Sequence, residues 1–137
     1  MTGTTQAGAG GRAVIEPFDE DECWRRLQDG GVGRLVIRDG YDLDLVPVVV
    51  TLTGRRIHLR TPVAADLAPL LEGVRVVVEI DGQDHGELWS VVVKGAAAPS
   101  VAPGAETDSS TPLVLDALSI TGRRFPVPRA RPARGAS

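Results

Sequence analysis

The sequence predicts one mainly β domain, an antiparallel barrel or sandwich of six strands with two short helices. The length of 137 residues, with 42% apolar and 24% charged residues, is that of a single globular domain. Six short apolar runs rich in β-branched residues are bounded by Gly, Asp or Pro, as strands are. Short turn sequences join several of these runs, which indicates antiparallel pairing of neighbouring strands.

The six apolar runs give the predicted strands, at residues 32–37, 45–52, 57–59, 74–80, 88–93 and 113–121. The dipeptides at 39–40 and 53–54 each contain a glycine and predict tight hairpin turns. Residues 81–86 predict a longer turn. Segment 98–112 is rich in Pro, Gly, Ser and Thr, so we expect a loop there before the last strand.

Two segments have helical character. In the first, Asp19 is a suitable N-cap, Glu22 completes a capping-box pattern, and Gly30 ends the run. The second covers residues 63–73 and contains Pro69, which predicts a short or kinked helix.

The chain is expected to have three parts: a disordered leader over residues 1–12, the folded domain over 13–127, and a basic tail over 128–137. The acidic residues end at Asp116 and five arginines follow it, although the net charge of the whole chain is −3. A basic, Pro-rich tail either binds nucleic acid, or stays in solvent or lies against the acidic body of its own protein. We favour a tail that does not bind nucleic acid, because five charges would give only weak, salt-sensitive binding.

The sequence lacks the features of a membrane or secreted protein. Its longest apolar run, Leu45 to Val50, has six residues, whereas a membrane span needs 18 or more. The N-terminal residues lack the basic start and apolar stretch of a secretory signal. Cys23 is the single cysteine, so no internal disulfide can form, and we expect a cytoplasmic protein with Cys23 packed in its core.

Few residues predict chemistry by themselves. His58 and His85 are the two histidines, and neither lies at a metal-ligand or catalytic-triad spacing, so we interpret them as a surface strand residue and a turn residue. The acidic pairs at 42/44 and 81/84 lack the offsets of a calcium loop. Phosphate-loop and nucleophile-elbow motifs are also missing.

Five strings nevertheless occur in a definite order: Gly31-Val-Gly-Arg-Leu-Val-Ile37, Leu45-Val-Pro-Val-Val-Val50, Gly54-Arg-Arg-Ile-His-Leu-Arg-Thr61, Leu88-Trp-Ser-Val-Val-Val-Lys-Gly95 and Ile120-Thr-Gly-Arg-Arg-Phe125. Their order and spacing resemble the pyridoxamine 5′-phosphate oxidase-like family of flavin-binding split barrels. The resemblance spans about residues 19–127 and is greatest to small members that end in Gly-Arg-Arg-Phe.

The resemblance implies a homodimer of six-stranded split barrels with FMN in two clefts at the dimer interface, acting as an oxidoreductase on small molecules. It implies that the flavin ring lies against one strand, that the phosphate is held at the end of the next strand, and that a serine contacts the ring. The matching residues are Val46, Pro47 and Val48 for the ring, Arg60 and Thr61 for the phosphate, and Ser90 for the polar contact.

One segment departs from the family pattern. Where the family has Gly, Ser and Lys, this chain has Ala64, Ala65 and Asp66, so a hydroxyl donor and an ammonium group are replaced by a methyl group and a carboxylate. The lost bonds and the added repulsion are expected to weaken FMN binding. Three alternatives therefore stay open: a barrel without cofactor that acts as a dimeric interaction module, a deazaflavin-binding barrel and a haem-binding barrel. Asp66 opposes the deazaflavin phosphate too, and haem would need an axial histidine.

Overall fold

The computed structural model describes residues 14–61, 75–100 and 111–128. These residues form one helix and seven strands: β1 (Glu16–Pro17), α1 (Glu20–Gln28), β2 (Gly31–Asp39), β3 (Asp42–Thr53), β4 (Arg56–Thr61), β5 (Arg75–Asp84), β6 (Glu87–Pro99) and β7 (Thr111–Pro126). The predicted leader at 1–12, the second helix at 63–73, most of the loop at 98–112 and nearly all of the tail lie outside the described residues.

Six strands form a ring, as the sequence predicts. They follow one another in the order β7, β4, β3, β2, β5 and β6, and β6 pairs with β7 again. Every pairing is antiparallel. The two-residue strand β1, which the sequence does not predict, is added on the outer edge of β7. The mainly β, split-barrel fold class is therefore confirmed.

The opening of the barrel is made by β7. The residues of β7 up to Leu115 pair with β4. The later residues no longer pair with β4 and continue to pair with β6 as far as Pro126. The pairing of β6 and β7 shifts at Lys94/Gly95, which leaves Leu118 as an extra residue in a β-bulge. A Cβ atom at Gly95 would overlap the Asp116 carbonyl oxygen, so the bulge requires glycine there.

Every predicted strand is present, and most extend beyond the predicted bounds. The turn expected over 81–86 is wrong in extent, because β5 continues to Asp84 and only His85 and Gly86 form the turn. Both turn residues have positive φ, of 50° and 78°, which matches the twist that a two-residue hairpin needs. Likewise, β6 continues through Pro99 and β7 begins at Thr111, so the ends of the predicted loop belong to strands.

Helix α1 closes one end of the barrel, and its start is as predicted. The Asp19 carboxylate accepts a hydrogen bond of 2.8 Å from the Glu22 amide. Cys23 and Leu27 on its inner side are each 1% exposed, so Cys23 is a core residue. Burial and three nearby acidic side chains raise the pKa of the Cys23 thiol, which keeps it protonated and unreactive.

The core consists of the inward side chains of the six ring strands together with α1, and valine and leucine dominate it. Alternation along each strand sends the remaining side chains outward, so the barrel wall has a distinct outer face. Within the described residues, no helix is long and apolar enough to cross a membrane.

Candidate functional site

The predicted ring-binding segment lies in the middle of β3. Val46 and Val48 point into the core and are 8% and 1% exposed, whereas Pro47 between them lies on the outer face. The outer neighbours of Pro47 on the same strand are Leu45 and Val49, which are 60% and 42% exposed. Of the three residues, only Pro47 therefore presents its side chain to a ligand on the outer wall.

The two residues predicted to bind the flavin phosphate lie at the end of β4, the strand next to β3. Arg60 is exposed on the outer face and is in register with Val49. Thr61 points the other way and is fully buried. The structure therefore brings Arg60, but not the Thr61 side chain, to the same face as Pro47.

A groove of about 270 Å³ crosses the outer face where β3, β4 and β7 lie side by side. Among the described residues that line it, the polar groups are the Arg60 guanidinium, the His58 ring and three hydroxyls, and none is acidic. These described lining residues are Val49, Thr51, Thr53, His58, Leu59, Arg60, Ser100, Pro112 and Leu113. Such a combination of one cation, hydroxyl donors and an apolar floor suits an anionic group on a small molecule.

His58 in this groove has an unusual environment. The ring is half-buried, and its Nε2 atom is buried without a hydrogen-bond partner. A buried polar atom left unpaired carries a free-energy cost, which a ligand atom placed against it would remove. His58 lies on the outer face of β4, as predicted, and its ring is half-buried in the groove.

Ser90 lies on the outer face of β6, between Asp81 of β5 and Arg123 of β7. Strands β2 and β5 separate it from β3, so three strand spacings, or about 14 Å, lie between the Ser90 and Pro47 positions. The structure therefore does not bring Ser90 and Pro47 together within one chain.

A charged cluster occupies the wall between those two positions. Arg34 of β2 donates from Nη1 to Glu79 Oε1 at 3.0 Å and to Asp81 Oδ2 at 2.8 Å. Burial, followed by the hydrogen bond and charge of Asp81, raises the pKa of Glu79 despite the opposing effect of Arg34. The cluster thus holds two carboxylates against one guanidinium.

A larger cavity of about 730 Å³ lies beside the β-bulge, between α1 and the diverging part of β7. Trp24, Arg55 and a row of alanines line it, and it contains none of the residues predicted for the site. Arg55 is held over the Trp24 ring, with 5.1 Å from its Cζ atom to the ring centroid, and it pairs with Glu20 and Asp21. Among the described residues, no group of three or more His, Cys, Asp or Glu side chains could hold a metal ion.

The fold and the groove together define the class: an antiparallel split barrel with a polar, cationic groove on its outer wall. Residues 19–129 match the family model described as pyridoxamine 5′-phosphate oxidase. The chain belongs to this family.

Solved structures agree with this assignment. A Corynebacterium glutamicum protein designated a candidate pyridoxamine 5′-phosphate oxidase is 25% identical, with a TM-score of 0.68 over 83% of this chain and 100% of that chain. The FAD-binding protein of Mycobacterium smegmatis is 25% identical, with a TM-score of 0.68 over 82% of this chain and 99% of that chain. A Corynebacterium diphtheriae protein of unknown function is 28% identical, with a TM-score of 0.66 over 81% and 98%. No curated protein sequence matches the chain.

Proposed function

We propose that this protein is a flavin-binding oxidoreductase that works as a homodimer, with the flavin phosphate in the β3–β4–β7 groove and the ring along the outer face of β3. The observation that carries the proposal is the groove itself, where Arg60 and hydroxyl groups adjoin an apolar strand face. A flavin has the complementary structure, an apolar planar ring joined to an anionic tail.

The relatives support a flavin as the cofactor class. The Mycobacterium smegmatis protein binds FAD, and it matches this chain over most of both lengths. Both FMN and FAD carry a phosphate next to the ribityl chain, so the groove is compatible with either one. When bound, the flavin would supply the redox chemistry, and the protein would supply orientation and exclusion of water.

Arg60 would hold the phosphate, because a guanidinium forms charge-assisted hydrogen bonds with phosphate oxygens. The outer side chains of β3, chiefly Leu45, Pro47 and Val49, would cover one side of the ring. Their apolar character removes the ring from water without competing for its polar edge.

The second subunit would complete the site. The outer faces of β2 and β3 expose several large apolar side chains: Val32, Leu43, Leu45 and Val49. A contiguous apolar surface of this kind on a soluble domain indicates a protein interface, and a twofold dimer would cover it with its own copy. Ser90 is too far from Pro47 to reach the same ring edge within one chain, so Ser90 of the partner subunit would supply that contact.

A ligand titration tests the proposal. Purified protein is titrated with FMN, FAD and riboflavin by fluorescence quenching, alongside the variant Arg60→Gln. We expect binding of the phosphorylated flavins, with an affinity loss of about tenfold or more for FMN in Arg60→Gln and little change for riboflavin. Lys94→Gln, which removes a cation elsewhere on the outer face, is the matched control.

Absence of binding by all three flavins would contradict the proposal and would favour a barrel without flavin. The visible spectrum of the purified protein then distinguishes the remaining alternatives, because a strong Soret band identifies haem. An equal loss of FMN affinity in the Arg60 and Lys94 variants would indicate that the phosphate does not bind in the groove.

A further inference from the structure

His58 is a groove residue to which the family resemblance assigns no role. It precedes Arg60 by two positions on β4, so the two side chains leave the same face of the strand about 7 Å apart. Both line the groove. Nε2 of His58 has no hydrogen-bond partner, and the His58 ring lines the groove, whereas His85 lies in the turn between β5 and β6.

The surroundings of His58 favour an anion. Thr51 of β3 lies opposite it in the pairing of the two strands, and Thr53 and Ser100 add further hydroxyl groups to the groove. The charged groups nearest along its own strand are Arg56 and Arg60, both cations. The residues that β3 and β7 contribute to the groove carry no titratable side chain. Asp116 is the nearest acid on β7, and it lines the other cavity.

The sequence also lacks the usual cation for this purpose. Ala65 and Asp66 stand where the family has Ser and Lys. A phosphate held by Arg60 would therefore need a second donor from elsewhere, and His58 is the described groove residue that leaves the same face of β4 as Arg60.

We propose that His58 is a second phosphate-binding residue of the groove, and that it makes the affinity for a phosphorylated flavin depend on pH. This inference rests on the proposed function. Imidazole side chains gain a proton around pH 6.5, and an imidazolium N–H forms a stronger bond to a phosphate oxygen than a neutral ring does. Binding should therefore be tighter in mildly acidic solution than in mildly basic solution.

The test compares variants at each pH, because the FMN phosphate itself takes up a proton near pH 6. The ratio of FMN affinities between wild type and His58→Gln cancels that change in the ligand. We expect His58→Gln to bind FMN about tenfold more weakly at about pH 6, and the difference to shrink to about threefold or less near pH 8.5. Riboflavin, which has no phosphate, should show a ratio near one throughout.

Two further variants make the result specific. Arg56→Gln removes a cation from the same strand at a residue that lines the other cavity, so it should change the FMN affinity by less than about threefold. His58→Arg carries a permanent charge and should bind FMN with an affinity that no longer falls between pH 6 and pH 8.5 relative to riboflavin. Unchanged riboflavin affinity and melting temperature confirm that each variant is folded.

A direct readout uses the ring itself. The chain has only two histidines, and His85→Gln leaves a single set of imidazole NMR signals. Addition of FMN should shift the His58 signals and raise the pH at which they titrate, whereas riboflavin should leave the titration in place.

The outcomes separate the two proposals. If no flavin binds, the proposed function itself fails. If flavins bind but His58→Gln affects FMN and riboflavin equally, or Arg56→Gln matches its effect, the role of His58 is wrong and the flavin site stands. The inference is also overturned if the ratio of FMN affinities between wild type and His58→Gln does not change with pH, or if FMN leaves the titration of the His58 NMR signals unshifted.

Discussion

The strands β3 and β4 are neighbours in the barrel wall, and their outer faces differ sharply. Both turn valine, leucine or isoleucine inward. On the outer face, β3 carries Leu43, Leu45 and Val49, whereas β4 carries Arg56, His58 and Arg60. The inner faces are thus equivalent in chemistry, whereas the outer face of β3 is apolar from Leu43 to Val49 and the outer face of β4 carries two arginines and a histidine.

This difference separates stability from function. Inward side chains are fixed by the need to fill the core, so any split barrel requires them. Outward side chains are under no such demand, and an apolar strand beside a cationic one is the pattern that a ligand with an apolar ring and an anionic tail would fit. The border between β3 and β4 is consequently where substitutions should change binding without changing the fold.

The largest expected effect is on an inner position of β4. Leu59 is 1% exposed, and Leu59→Ala should lower the free energy of unfolding by about 2–5 kcal/mol through lost burial and a residual cavity. Urea denaturation measures the change. Arg56→Ala, on the outer side of the same strand, should stay within about 0.5 kcal/mol of the wild type. Equal effects of the two variants would contradict the distinction between the faces.

An outer position of β3 is expected to control association. In the proposed dimer, Leu45→Asp would bury an unpaired carboxylate at the interface, so the variant should be a folded monomer under conditions where the wild type is a dimer. Sedimentation velocity at micromolar concentration reports the change. Leu118→Asp is the matched control, because Leu118 is also 60% exposed but lies on β7. Dissociation by both variants, or by neither, would contradict the assigned interface.

A third prediction concerns the departure from the family pattern at Asp66, which lies outside the described residues. Asp66→Lys should raise the FMN affinity at least tenfold, because it removes a repulsion and restores an ammonium donor. Asp66→Asn removes only the repulsion and should give a smaller gain. Fluorescence titration with FMN and riboflavin distinguishes these effects, and equal FMN affinity in all three proteins would show that residue 66 is not near the phosphate.

The smallest expected effect is the pH dependence of stability at Glu79. Its raised pKa means that the folded state holds this proton more tightly than the unfolded state does. The resulting stabilisation is complete below the usual glutamate pKa of about 4.3 and is lost as the pH rises through the folded-state value. Glu79→Gln should flatten that decline in urea denaturation midpoints, and Asp42→Asn on exposed β3 should not. If stability still declines with rising pH in Glu79→Gln, the decline arises from another titratable group.

The six ring strands could be predicted because alternating apolar residues and glycine turns leave a local pattern. Their ends were less predictable: β5 continues through the polar residues Asp81 to Asp84, because cross-strand pairing with β6 and not local propensity decides where it stops. The two residues of β1 carry no pattern at all, since only their pairing with Arg123 and Arg124 makes them a strand.

The candidate site was predictable only in part. The sequence indicates that Pro47, Arg60 and Ser90 matter through a resemblance, but the distance between Pro47 and Ser90 depends on strand order, which no single strand contains. His58 was missed because its unpaired nitrogen is a tertiary property. The one available signal was its position two residues before Arg60, which places both on one strand face.

The position of β7 has a consequence for how the molecule folds. Residues 111–126 pair with β4 and β6, so the contacts that close the ring join segments far apart in sequence, such as Ile57 and Leu115. Outside the ring, β7 also pairs with β1, where Glu16 lies opposite Arg124. Closing such distant contacts is slow, because the entropy of a long chain loop is lost before any pairing compensates for it. During synthesis, the hairpins from β2 to β4 would form early, and the barrel would remain open until β7 emerged. The rate of ring closure should therefore respond to substitutions in β7 more than to those in the early hairpins.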